Sequence, residues 1–133
     1  MIQRIEHNGI LYSLIIRGNF ESDKKYKFFT EESSFLQLGT SSYKKGEKIT
    51  NHLHLPRQQV VTRTEEVIFL QKGRMKVSIF DESKNLLHED LIQEGDIIYL
   101  MRGGHGFEPL SECQIFEVKQ GPYVSRDIDK ILF

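Results

Sequence analysis

The sequence predicts an all-β domain made of two antiparallel sheets. Three observations carry that prediction: short segments of alternating apolar and polar residues recur along the chain, glycine or polar turns close each of them, and helical periodicity is nearly absent. The clearest segment runs from Arg74 to Phe80, where Met75, Val77 and Ile79 alternate with Lys76 and Ser78 and give one dry face and one wet face.

A hairpin is expected first. Its second arm, Gly9 to Arg17, sets Ile10, Tyr12, Leu14 and Ile16 against Leu11, Ser13, Ile15 and Arg17, so both faces are largely apolar. Strands are then expected over residues 35–43, 48–55, 60–70, 74–80, 86–92, 96–101, 105–108 and 113–119. Turns separate them at Lys44-Lys45-Gly46-Glu47, Gln71-Lys72-Gly73-Arg74, Glu82-Ser83-Lys84-Asn85 and Gln93-Glu94-Gly95-Asp96, which supply residues that tolerate tight or left-handed backbone. About eight short antiparallel strands with no covering helix suggest two sheets rolled into a jelly-roll β-barrel, which limits exposed edges. Pro122 and the charged stretch 125–130 end the pattern and predict a short helix or an arm over residues 120–133.

Composition bounds the function. At 133 residues the chain is expected to be a single domain over 1–133, with a formal charge of −1 and its lysines and arginines scattered among acids. No field draws a phosphate backbone, so nucleic acid is not an expected partner. The basic and aromatic run Lys24 to Phe29 reads as a solvated strand with its apolar residues turned inward. Cys113 is alone, which excludes an internal disulfide and points to a reducing cytoplasm. No apolar stretch reaches the roughly 20 residues of a spanning helix, so no membrane partner is expected, and the first residues lack the marks of a signal peptide. Neither a glycine-rich phosphate loop nor a serine-centred elbow is present.

His52 and His54 stand two apart in an expected strand, so both imidazoles project to one face. Gly46, five residues, His52 and His54, then Glu66, six residues and Gly73 make a pattern that resembles the first motif of the cupin family. The run from Gly95 to His105 is similar to the family's second motif, with Met101 in place of its proline and a turn one residue shorter. The gap of eleven residues between His54 and Glu66 is longer than the family's, and Gln59 occupies the shorter spacing; Glu66 is preferred because it keeps the step to Gly73. The resemblance covers residues 35–119 and implies a cupin-like barrel in which His52, His54, Glu66 and His105 hold one divalent transition metal.

Three imidazoles and a carboxylate suit iron, manganese, nickel, copper or zinc, and ligand type alone does not choose among them. Several residues are candidates to bind a small-molecule substrate. Arg63 and Arg102 flank the expected ligands, Gln59 is near them in sequence, and Phe107 shares a strand face with His105. Glu117 and Lys119, two apart on the last strand, offer an acid and a base, while the commoner pattern for such a strand packs Phe116 and Val118 in the core. The resemblance implies a metal-dependent enzyme acting on a small organic molecule, sugar-related compounds among the candidates, with a sugar or effector-binding module and a metal-free sugar-nucleotide isomerase or epimerase as alternatives. It also implies a homodimer paired through the apolar arm Gly9 to Arg17.

Overall fold

The computed structural model describes all of residues 1–133. Ten strands and one short helix follow in order: β1 (Ile2–His7), β2 (Ile10–Ile16), β3 (Tyr26–Phe28), β4 (Gly39–Ser41), β5 (Glu66–Lys72), β6 (Arg74–Phe80), β7 (Leu86–Gln93), β8 (Ile97–Leu100), β9 (Gly104–Pro109), β10 (Gln114–Lys119) and α1 (Arg126–Asp129). All pairings are antiparallel. No helix is long and apolar enough to cross a membrane. The residues gather into two compact units, one of Met1–Phe20 with Arg63–Phe133 and one of Glu21–Thr62.

The larger unit contains a five-stranded sheet, in the order β1-β2-β8-β5-β10, and a three-stranded sheet, β7-β6-β9. The expected hairpin is present and turns at Asn8 and Gly9, both at positive φ, the backbone that a tight two-residue hairpin loop requires. Period-2 alternation builds the core. Ile15, Ile98, Ile68 and Leu70 from the first sheet and Met75, Val77, Ile79 and Ile92 from the second form one buried cluster. The wet face of β6 carries Lys76, whose ammonium is 2.8 Å from Glu108 on β9 and 3.8 Å from Glu89 on β7. Neither sheet closes on itself, so the two sheets share a core without forming a closed barrel.

Arg17, just past β2, fastens the strands around it. Its guanidinium donates to Asp96 at 2.9 Å, to Asp90 at 2.5 Å and to the Leu91 carbonyl at 2.9 Å. Asp96 is buried, and its carboxylate also accepts from the backbone N–H groups of Gly18 and Gln93, which satisfies a charge that would otherwise be costly to bury. Tyr12 to Ile16 are all buried within the single chain, while Ile10 at the start of β2 stays exposed.

In the smaller unit β3 and β4 pair as an isolated two-stranded sheet. Tyr26 and Phe28 point outward and Lys27 is the more sheltered residue, the reverse of the expected orientation, because a two-stranded sheet with no second layer cannot bury a face. Tyr26 meets Tyr43 edge to face at 5.9 Å, and Lys25 pairs with Glu47 beside both rings. The expected strand over 35–43 is reduced to β4, and the one over 48–55 does not form. Pro56 follows it without a backbone donor, no neighbouring strand pairs with it, and Leu53 is 84% exposed.

Candidate functional site

Glu66 opens β5, and the strand's alternation turns it to the same side as Ile68 and Leu70. It is nearly buried at the end of the sheet. On β9, His105 lies opposite Ile79 of β6, a core residue, and shares its face with Phe107, whose ring centroid is 5.5 Å from the imidazole. The two sheets thus bring His105 Nε2 to 3.2 Å from Glu66 Oε2. Lys119, opposite Glu66 in the β5–β10 register, sets its ammonium 3.8 Å from Glu66 Oε1 and 3.1 Å from Glu117.

These neighbours define the charge state. The hydrogen bond from His105 holds the Glu66 carboxyl below its ordinary pKa, helped by the charges of His105, Lys119 and Lys130 and opposed by burial. Lys119 is raised, chiefly by its hydrogen bond to Glu117, with burial opposing and the charges of Glu117, Glu66 and Asp129 helping. An ionised carboxylate only accepts, so the Nε2 of His105 carries the proton of this contact and a neutral ring keeps its lone pair on Nδ1. As a fragment of a metal site the pair fits. Bonds of about 2.1 Å at angles of about 90–109° set two donor atoms about 3.0–3.4 Å apart, which brackets the observed separation, and ionised Glu66 is in the form a ligand needs.

His52 and His54 lie in the smaller unit on exposed, irregular backbone rather than on a strand. Their rings still sit together, edge to face, with centroids 5.2 Å apart. His52 Nδ1 is 3.0 Å from the carbonyl oxygen of Thr50. A carbonyl cannot donate, so that Nδ1 carries the hydrogen and leaves Nε2 free to bind, an arrangement usual for a ligating imidazole. The structure forms two pairs, Glu66 with His105 and His52 with His54, and no group of three or more His, Cys, Asp or Glu side chains suited to one ion.

The other candidates divide. Lys119 and Glu117 join the Glu66 cluster, and the packing expected of their strand is inverted: Phe116 is 54% and Val118 59% exposed, because β10 is the edge strand and its outer face is uncovered. Arg63 is engaged elsewhere. Its guanidinium donates to Glu65 at 2.6 Å and to the Met101 carbonyl at 2.8 Å. Arg102 lies in the turn between β8 and β9 with its Nε buried and without a hydrogen bond. Gln59 is in the smaller unit, and its amide oxygen, suitably turned, accepts from Arg57 at 2.8 Å.

Sequence reasoning missed Glu65. It is fully buried, takes hydrogen bonds from Tyr99 and Arg63, and its backbone N–H donates to Gln120 at 2.6 Å. The only signal in the sequence was an acidic residue immediately before Glu66 and the apolar run that follows; its burial depends on Tyr99 and Arg63, which lie outside that local pattern. Compared with protein-family models, curated proteins and solved structures, the chain matches none of them significantly.

Proposed function

We propose that the chain is a cupin-like metal-binding protein, of jelly-roll descent, whose divalent metal centre acts on a small organic molecule. The observation that carries this reading is the 3.2 Å approach of Glu66 and His105, from two different sheets, at the two positions where the motifs call for a carboxylate and an imidazole. His52 and His54 are the remaining ligands on the strength of the sequence pattern, and the free Nε2 of His52 supports that role. A bound divalent ion would polarise an oxygen of the substrate or lower the pKa of a water. The protein's own part is to keep Glu66 ionised and to offer Phe107 as an apolar wall and Lys119 as a cation for an anionic substrate group.

One observation favours a second reading. The Lys119 ammonium already lies 3.8 Å from Glu66, so the carboxylate has a counter-charge without any metal. In that case Glu66 orients His105, and the free Nδ1 acts as a general base for a metal-free isomerisation. Elemental analysis of protein purified without chelator or affinity metal separates the two. The metal reading expects about one equivalent, lost on His52→Ala and on His105→Ala, whereas less than about a tenth of an equivalent leaves the acid–base reading standing.

A further inference from the structure

Glu65 is a second carboxylate beside the site, and neither form of the proposed chemistry uses it. It precedes Glu66, and its side chain turns to the other side of the sheet, where it accepts from the Tyr99 hydroxyl. Tyr99 alternates with Ile98 and Leu100, which face the core, so this contact lies on the sheet's outer side. Each bond that Glu65 makes leads to the chain neighbour of a site residue. Arg63 donates from Nη2 to Glu65 at 2.6 Å and from Nε to the Met101 carbonyl at 2.8 Å, so one guanidinium ties the carboxylate to the residue just past β8. Only Arg102 and Gly103 separate Met101 from β9, which carries His105. That link has little slack. Gly103 is at positive φ, a Cβ there would collide with the Phe80 carbonyl, and the Met101 N–H donates to the Tyr12 carbonyl at 2.9 Å. Gln120, which accepts from the Glu65 N–H at 2.6 Å, directly follows Lys119.

The two carboxylates differ in how firmly they are held. Glu65 is shut off from water, where hydrogen bonds to an ionised group are strong and a misplaced donor is costly, and the planar fork of Arg63 fixes the geometry of two of the bonds. In the pair itself, the side chain of His105 is 31% exposed, and a contact so open to solvent holds its partners only weakly. We infer that Glu65 is a positioning residue for the Glu66–His105 pair. With Arg63 and Tyr99 it clamps the chain before the β8–β9 turn to the start of β5, and so sets the 3.2 Å spacing of the pair from behind. The spacing has a use only where the pair is the working centre, so this inference rests on the preceding reading in either of its forms.

The experiment reads spacing rather than stability. Crystal structures of chelator-treated, full-length protein are compared for the unaltered chain, Tyr99→Phe, Arg63→Met and, as a control, Ile92→Val, which removes one methyl group from the core on β7 and weakens the fold without touching the clamp residues. Both clamp variants are expected to open the distance from His105 Nε2 to Glu66 Oε2 beyond about 3.5 Å, out of hydrogen-bond range, and Ile92→Val to leave it unchanged. A spacing kept in both clamp variants overturns the inference, and so does equal opening in the control. If a variant does not crystallise, the coupling between Glu66→Gln and His105→Ala is measured by urea unfolding in each background. It is expected to reach up to about fivefold in the unfolding constant of the unaltered chain and to vanish in the clamp variants. The same coupling in all backgrounds overturns the clamp. An unaltered protein whose two residues stand apart removes the pair, and with it both this inference and the preceding reading, whereas a clamp that fails with the pair intact leaves that reading in place.

Discussion

Lys119 stands directly opposite Glu66 in the antiparallel register of β10 and β5, its ammonium 3.8 Å from the oxygen that His105 does not engage. A cation held there opposes a second cation at the same carboxylate. Lys119→Met is therefore expected to tighten binding of Mn²⁺ or Zn²⁺ by up to about tenfold, read by calorimetric titration with a competing chelator. Affinity that does not change would count against Glu66 as a ligand.

The lowered pKa of Glu66 makes stability depend on pH. Its folded value lies below the ordinary 4.5, so ionised Glu66 contributes stability that is fully present above that value. The contribution is lost as pH falls through the lower folded value. Urea midpoints measured from pH 7 down to pH 3 should therefore fall less steeply in Glu66→Gln than in the unaltered protein. Parallel curves would mean that the contact with His105 does not persist in solution.

Buried Glu65 depends on its donors. Tyr99→Phe removes one of them from a carboxylate with no access to water, and the expected cost is about 1–3 kcal/mol. Glu65→Ala, which strands the partners of a buried charge, should cost more, about 3–5 kcal/mol. Equilibrium urea unfolding checks both, and an unchanged midpoint in Tyr99→Phe would show that its hydrogen bond to Glu65 contributes nothing.

The imidazole tautomers are a direct readout. In metal-free protein, neutral His105 is expected with its hydrogen on Nε2, against Glu66, and neutral His52 with its hydrogen on Nδ1, against Thr50. Nitrogen-15 chemical shifts of the two rings distinguish these forms. If Nε2 of His105 is a metal ligand, adding Zn²⁺ moves its hydrogen to Nδ1. A ring that keeps its metal-free pattern in saturating Zn²⁺ excludes it from the ligand set.

What the sequence made legible follows the strength of the local signal. β6 matches its expected limits residue for residue, because Met75, Val77 and Ile79 face the core while Lys76 and Ser78 face water, and β7 to β10 fall within two residues of expectation. Residues 48–55 alternate almost as well, yet alternation cannot supply a partner strand, and a strand without one leaves its backbone groups to water. At the site, the pairing of Glu66 with His105 was legible from motif spacing. The contact of Lys119 with Glu66 was not, because it depends on the register of β10 against β5. Nor was the exposed face of Phe116 and Val118, since that depends on β10 being the last strand of its sheet.

β2 does not pair with β8 until the chain has run from Ile16 to Ile97. At synthesis rates of about 5–20 residues per second, those 81 positions occupy roughly 4 to 16 s. For that interval a hairpin carrying Leu14, Ile15 and Ile16 lacks the strand against which it will rest, and a two-stranded hairpin alone is marginal in water. The strand of the sheet with the most buried residues is thus also the one that waits longest for its neighbour. The nascent chain is most open to chaperone capture, or to pairing with the wrong edge, before residue 100 is made.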